Sequence, residues 1–379
     1  MIYLDNSATT WPKPRGMAAA MLECMHRYGA SPGRAGHSMS LKVSERVYAC
    51  REAVAELFGT EDPAGVVFTA NATEALNIAI KGMLKPGDHA VITSMEHNSV
   101  LRPIHALTTA GVRYSMARGN IYGYVEPERI ESLIRANTRL IVATHVSNVC
   151  GTVNPIEQIG EIAQKHGICF LVDAAQSAGV IPIDMERLHI DMLAAAGHKG
   201  LYGPQGTGVL CIRPHVNPDC LKQGGTGSYS EQKEQPEERP DKYESGTLNA
   251  VGICGLLAGV TFLKRVGVEQ IGAHEARMAG MLMEDLSVIR GVRIHGLPTL
   301  AGRTGVVSFT VDGMDCVEIA NELDARYGIA CRAGYHCAYT AHQTIGTDRT
   351  GTVRLSPGAF SVVAQMKSTA RAIAELARR

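Results

Sequence analysis

Between residues 66 and 212 the chain alternates short apolar runs with amphipathic stretches. The runs VVFTA, HAVITS, LIVATHVS, ICFLVDAAQS and GVLCI are rich in valine and isoleucine and show no polar alternation. Continuous apolar strands of this kind are typical of a sheet covered on both faces. Between two of them, NPIEQIGEIAQKHG predicts a helix with Asn154 as N-cap, Pro155 at the first helical position and Gly167 just past the end. The succession of strand, helix and strand predicts an α/β fold.

The domain organisation follows from the length and from one break in the apolar pattern. A chain of 379 residues favours one large domain with a smaller one. We predict a large domain over residues 15–255 and a small domain formed by residues 1–14 and 256–379. The polar, glycine-rich stretch 224–249 predicts a long functional loop. Beyond it, VGICGLLAGVTFLKRVG predicts a helix, and the later residues mix helical and strand patterns, which indicates an α+β small domain.

Composition excludes several classes of function. Lysine and arginine together number 37, as do aspartate and glutamate, so no net charge attracts nucleic acid or an anionic membrane. No charged leader and no apolar run of membrane-spanning length is visible, so we expect a cytoplasmic protein that acts on small molecules. Ten cysteines without a CxxC pair do not indicate a disulfide framework or a metal site, and most should be reduced and buried.

Polar side chains follow several of the predicted strands at the point where each strand ends. In open α/β sheets, ligands bind at the carboxyl ends of the strands, so these residues predict one shared site. They are Thr73, Asn148, Asp173, Gln176, His198 and Lys199.

Asp173 and Lys199 indicate the chemistry of this site. An acid that ends a buried strand is costly unless it meets a cation, and an enclosed lysine loses proton affinity and becomes a candidate Schiff-base nucleophile. Pyridoxal 5′-phosphate (PLP) requires a lysine for its aldehyde and an acid that keeps its pyridine nitrogen protonated. Its phosphate would bind where a helix begins near Thr73, and His97 would lie against the ring. Taken singly, Lys199 is more typical of a surface lysine, and Asp173 or Thr73 of a helix cap; only their joint placement favours the cofactor.

Eight motifs occur in one order along the chain: YLDNSATT, ATEALN, EHNS, HVSNVCGT, VDAAQS, GHKGLYGPQGTG, ESGTLN and RAGYHCA. In this order they resemble the class V aminotransferase group of PLP enzymes, and specifically the cysteine desulfurases, over essentially the whole chain. The resemblance implies PLP fold type I, with a mostly parallel central sheet flanked by helices and a smaller α+β C-terminal domain. It also implies a homodimer, with its active site at the subunit boundary, that converts L-cysteine to L-alanine and leaves a persulfide on an enzyme cysteine.

The resemblance implies a role for each matching residue. Lys199 matches the lysine that binds PLP, Asp173 the partner of the pyridine nitrogen, and Gln176 the donor to the phenolic oxygen. His97 matches the histidine that stacks on the ring. Other residues match contacts to the phosphate, including two from the neighbouring subunit, or to the substrate carboxylate. The phosphate set is Thr73 and His198 with Gly246 and Thr247 of the partner, and the carboxylate set is Asn148 and Arg354.

Cys337 distinguishes a desulfurase from other members of the group. The flanking Arg332 and His336 are expected to raise its thiolate fraction, and the thiolate is the form that attacks sulfur. The segment resembles the second desulfurase subgroup, which is allied to the selenocysteine lyases. Three features depart from that pattern: Tyr335 replaces a histidine, Ala196 replaces a phosphate-binding serine, and LSPGAFSVV replaces a tyrosine-asparagine ending.

Several alternatives stay open on the sequence alone. A selenocysteine lyase or a cysteine sulfinate desulfinase shares every cofactor residue and differs only in how the β-substituent departs. An ordinary class V aminotransferase leaves Cys337 without a role, and a non-catalytic PLP-binding sensor does not account for Lys199, Asp173 and Cys337 together. The acceptor of the sulfur also stays open, between a scaffold for iron–sulfur cluster assembly, a thiolation protein and a selenium pathway.

Overall fold

Strands and helices alternate from Val66 to Asp173 in the computed structural model, which describes residues 1–33 and 36–378. The helices are α1 Arg15–Arg27, α2 Ser38–Leu57, α3 Ala72–Met83, α4 Asn98–Leu107, α5 Pro127–Glu131, α6 Ile156–His166, α7 Ala250–Val266, α8 Val268–Ser287, α9 Cys316–Tyr327, α10 Tyr339–Ile345 and α11 Val363–Leu376. The strands are β1 Ile2–Tyr3, β2 Val66–Thr69, β3 His89–Thr93, β4 Arg113–Ala117, β5 Thr138–Thr144, β6 Cys169–Asp173, β7 Met192–Ala196, β8 Gly208–Ile212, β9 Val292–His295, β10 Val307–Val311, β11 Ile329–Ala330, β12 Arg332–Gly334 and β13 Thr352–Leu355.

The central sheet has seven strands in the order β2-β8-β7-β6-β5-β3-β4. Strands β4, β3, β5, β6 and β7 run parallel, whereas β8 is antiparallel to both of its neighbours, β7 and β2. Strand β2 therefore points the same way as β7, and six strands end at one edge of the sheet. This direction brings the start of α3, which follows β2, to the edge where β6 and β7 end.

Both faces of this sheet are buried, as the continuous apolar runs predict. Alternate residues of β5 pack into different clusters: Ile141 lies on the face covered by α2 and α7, and Leu140 lies on the face covered by α3 and α4. Phe170 and Leu171 of β6 divide in the same way. Burial of apolar surface stabilises the fold by about 25 cal/mol per Å². Because both faces of the sheet are covered, this gain applies to every residue of these strands, and they therefore show no polar alternation.

The C-terminal part is built on a four-stranded antiparallel sheet, β12-β13-β10-β9, with its own apolar cluster beneath α8, α9 and α11. The N-terminal segment joins this part, since β1 pairs with β11 and Asp5 forms a bridge with Ser356. The division at residues 14 and 255 stays a prediction. Within residues 1–33 and 36–378 no single helix is long and apolar enough to cross a membrane. Helices α7 and α8, which meet at an angle of 82°, have the length and composition of a membrane span only when they are taken together.

Two local predictions are wrong and two are confirmed. Asn154 does not cap α6, because its side chain donates to Thr144 O at 3.0 Å and accepts from Val125 N at 3.1 Å; Pro155 takes the N-cap position and the helix starts at Ile156. Gly167 ends α6 at φ 60°, as predicted. The stretch 224–249 is a loop throughout, and all of it lies within the described chain. Strand β4, which the apolar pattern does not indicate, is the sheet edge and is only partly buried.

Candidate active site

Asp173 and Lys199 meet at the edge where the strands end. Asp173 is the last residue of β6, is buried, and accepts a hydrogen bond from Ala175 N at 2.9 Å. Burial raises its pKa, while the Ala175 N–H and the charge of Lys199 oppose this. Burial also lowers the pKa of Lys199 to about 8, and the Asp173 carboxylate opposes that change. The two groups stabilise each other's charged forms, whereas burial disfavours the charged form of each.

Helix α3 begins at the edge where the strands end, and the N-terminus of a helix is suited to an anion. Asn71 caps the helix by accepting from Glu74 N at 2.9 Å, and Thr73 is the second helical residue. Strand β8 passes so close that a Cβ on Gly208 would lie 2.5 Å from the Asn71 carbonyl carbon, so only glycine fits there. Nearby, His198 has a buried Nδ1 without a hydrogen-bond partner in the described chain, and burial with the cations Lys199 and Lys13 lowers its pKa to about 4.

His97 is held in one orientation at the N-terminus of α4. Its Nδ1 accepts from Ser99 N at 3.0 Å and lies 2.8 Å from Ser99 Oγ, which in turn lies 2.7 Å from Thr73 Oγ1. Burial, with Lys199 and Arg332 among the nearby cations, lowers the pKa of His97 to about 4, so the ring is neutral at pH 7. Because Nδ1 accepts, the proton lies on Nε2. Ser99 was missed from the sequence, although its place two residues after a helix-capping histidine is a usable signal.

The N-terminal segment is hydrogen-bonded to the backbone carbonyls of His198 and Lys199. His198 O accepts from Thr10 N at 3.1 Å and from Lys13 Nζ at 2.7 Å, and Thr10 Oγ1 donates to Lys199 O at 3.0 Å. Gln176 Nε2 donates to the carbonyl of another residue of this segment, Ser7, at 3.0 Å. The sequence did not indicate a role for Ser7, Thr10 or Lys13, although the first two lie in the motif YLDNSATT. We call residues 5–13 the N-terminal strap. The divergent segment LSPGAFSVV also contacts this strap, because Ser356 Oγ accepts from Ser7 N at 2.9 Å.

Arg354 and Asn148, predicted to hold a carboxylate, lie in direct contact. Arg354, on β13, is 1% exposed; its Nη2 bonds Asp5 Oδ1 at 2.9 Å and its Nη1 donates to Asn148 O at 2.9 Å. Its Nε is buried and has no partner within residues 1–33 and 36–378. Burial lowers the pKa of Arg354 and Asp5 opposes this. An unpaired N–H on a buried guanidinium is suited to receive an anion.

Cys337 is exposed, unlike the other cysteines, all of which lie in the described part of the chain and are buried or half-buried. Arg332 Nη2 lies 3.8 Å from its Sγ. The prediction for His336 is wrong: its ring is buried, its Nε2 bonds Thr352 Oγ1 at 3.0 Å, and burial lowers its pKa to about 2, so it brings no positive charge to the thiol. Arg332 alone supplies the flanking cation that the sequence indicated.

The sequence profile of the class-V aminotransferases matches residues 2–367. The chain belongs to this family. A relative from Methanothermobacter thermautotrophicus, named a probable cysteine desulfurase, is 35% identical over 99% of this chain and 94% of the relative. The cysteine desulfurase of Thermococcus onnurineus superposes with a TM-score of 0.90 at 32% identity, covering 100% of this chain and 94% of that one. A cysteine desulfurase of Escherichia coli superposes with a TM-score of 0.89 at 26% identity, covering 98% and 94%. The predicted family and fold class are confirmed.

In this member of the class-V aminotransferase family, Gly246 and Thr247 are exposed on the long loop. Gly246 has φ 96°, and an added Cβ would meet nothing within 4 Å. The loop is anchored just before them, where the buried Glu244 carboxylate pairs with Arg51 and accepts from Phe68 N at 2.6 Å. Their contribution to a neighbouring subunit's phosphate site stays a prediction.

Proposed function

We propose that this protein is a PLP-dependent cysteine desulfurase that converts L-cysteine to L-alanine. The observation that supports this best is the placement of Cys337. This exposed thiol lies beside Arg332 on a loop whose backbone bonds Asn98, the residue after His97. A nucleophilic sulfur thus lies on the rim of a site whose interior holds Lys199 and Asp173.

The residues present fit PLP. Asp173 is a buried carboxylate that a protonated ring nitrogen would stabilise, and the unpaired His198 Nδ1 and the start of α3 are suited to its phosphate. Lys199 would bind the aldehyde, His97 would face the ring, and Gln176 would reach the phenolic oxygen. When bound, PLP supplies an electron sink for the bonds at the substrate α-carbon.

The remaining steps belong to side chains of this chain. Arg354 would receive the substrate carboxylate at its unpaired Nε. Lys199, with a pKa of about 8, would take the proton from the α-carbon and return it within the same site. The Cys337 thiolate would attack the substrate sulfur, so that a sulfur–sulfur bond forms as the Cβ–S bond breaks. The remaining three-carbon unit takes up protons and leaves as L-alanine, while Cys337 holds the persulfide.

We also propose a cytoplasmic homodimer in which Gly246 and Thr247 complete the partner's phosphate site. The exposed loop around Thr247, held by the buried Glu244, supports this arrangement. An acceptor would reach the persulfide at the protein surface, because Cys337 is exposed. The acceptor class stays open.

The test is turnover of L-cysteine by the PLP-loaded protein, comparing wild type with Cys337→Ala and with the control Cys331→Ala. Wild type and the control should form alanine, and mass spectrometry should find the added sulfur on Cys337. Cys337→Ala should keep its bound cofactor and its spectral response to cysteine, and lose most alanine formation. Alanine formation by Cys337→Ala at the wild-type rate, or dependence on a keto acid, would refute the proposal. Comparing cysteine with selenocysteine and cysteine sulfinate separates the related lyases.

A further inference from the structure

The loop that bears Cys337 has a backbone that must be held in place. His336 and Cys337 have φ values of 49° and 60°, so two consecutive residues other than glycine adopt the left-handed conformation. A side chain at Cβ disfavours this region, and such residues persist only where their surroundings determine the backbone. The contacts of this loop therefore decide where the Cys337 thiol lies.

Besides the bond between His336 Nε2 and Thr352 Oγ1, two hydrogen bonds from outside the loop hold the backbone carbonyls of these residues. Asn148 Nδ2 donates to His336 O at 2.7 Å, and Asn98 N donates to Cys337 O at 2.8 Å. A carbonyl oxygen can only accept, so the first bond fixes which end of the Asn148 amide points at the loop. Asn148 is 8% exposed, and water competes little for that bond.

Asn148 also contacts the residue expected to bind the substrate. Arg354 Nη1 donates to Asn148 O at 2.9 Å, while the Asn148 side chain reaches the Cys337 loop. The backbone of Asn148 thus supports Arg354 and its amide supports the residue before the nucleophile. One residue links the group that would hold the carboxylate to the thiol that would receive the sulfur.

We propose that Asn148 is a positioning residue that holds the Cys337 loop for sulfur transfer, in addition to the carboxylate contact that the resemblance implies. This rests on the proposed function of Cys337 as the sulfur acceptor. The two roles differ in which step they control. A carboxylate ligand matters for every amino acid substrate, whereas a loop-positioning residue matters only when Cys337 must capture sulfur.

Cysteine and cysteine sulfinate separate these roles, because sulfinate sulfur can leave without capture by a thiolate. In the PLP-loaded protein, Asn148→Ala should lower cysteine turnover about tenfold more than it lowers cysteine sulfinate turnover. Loss of a carboxylate contact lowers both turnovers alike and leaves their ratio unchanged, whereas a displaced Cys337 loop lowers cysteine turnover alone. Asn148→Asp has a side chain of the same size that cannot donate a hydrogen bond to His336 O. It should have the same effect as Asn148→Ala, and it replaces that variant in the test if the alanine variant folds poorly. Asn137→Ala is the matched control, because it removes an exposed amide-to-carbonyl bond, to Gly87 O, away from the site.

A second measurement does not depend on turnover. The Asn98 amide is protected by its bond to Cys337 O, so its hydrogen exchange should accelerate about tenfold in Asn148→Ala and remain unchanged in Asn137→Ala. Equal loss of cysteine and sulfinate turnover, or unchanged exchange at Asn98, would overturn the positioning role. If wild type forms no alanine from cysteine, the proposed function fails, and the exchange result still decides whether Asn148 holds the loop.

Discussion

The low proton affinity of Lys199 leads to a quantitative prediction for the cofactor-free protein. With a pKa of about 8 instead of the ordinary 10.5, the neutral amine at pH 7 rises from about 0.03% to about 9%, which is about 300-fold. Lys199 should therefore react with an amine-acylating reagent at neutral pH far faster than an ordinary lysine of equal access. Burial is the cause, and Asp173 works against it. Asp173→Asn removes the charge that favours the ammonium form and should move the midpoint of labelling further below 8.

The assay is brief labelling across a range of pH, followed by digestion and mass spectrometry of the peptide that contains Lys199. The exposed Lys233 in the same digest corrects for the reagent's own dependence on pH. A labelling midpoint at a pH of about 10 for Lys199 would refute the conclusion that burial lowers its pKa. A midpoint that rises in Asp173→Asn would show that the carboxylate does not act on this amine.

Three further outcomes are expected. Glu244→Gln leaves Arg51 buried without its counter-charge and should lower the free energy of unfolding, measured by urea titration, by about 3 kcal/mol. Replacing both residues with apolar residues of similar size should recover most of that free energy. A loss below about 1 kcal/mol in Glu244→Gln would contradict this. Ser99→Ala removes a bond that orients His97 and should lower kcat/KM for cysteine about fivefold, measured as alanine formation, and an unchanged value would argue against that role. Mixed Lys199→Ala and Thr247→Ala subunits, each inactive alone, should regain part of the activity if sites are shared; none should return if each site is built from one chain.

The sheet could be predicted from sequence because burial on both faces leaves a local signal. The runs around Leu140 and Leu171 are apolar without interruption, and each can be recognised from a few neighbouring residues. Strand β4 lacks that signal, because an edge strand is only partly buried. Asn154 was misassigned for a similar reason: its local context fits a helix cap, but strand β5 and Val125 take its hydrogen bonds.

The site was predictable where several polar residues follow successive strand ends, as with Lys199 and Asp173, whose charges act on each other in the structure. It was not predictable where a role depends on distant contacts. Lys13 meets His198 O across 185 residues of chain, and no local pattern marks that bond. For His336, adjacency to Cys337 in sequence suggested a cationic or proton-accepting neighbour, yet its ring is buried and bonds Thr352 instead.

The attachment of the N-terminal strap to the C-terminal part has a consequence for the order in which the protein matures. Asp5 lies 349 residues before its partner Arg354, and Ser7 binds Ser356. At about 5–20 residues per second, the strap leaves the ribosome roughly 20 to 70 s before those partners are made. The parallel sheet can form earlier, because its strands lie between residues 66 and 212. Arg354 and the strap can therefore meet only after residue 354 has been made, so the sheet can fold before the contacts that hold Arg354 exist.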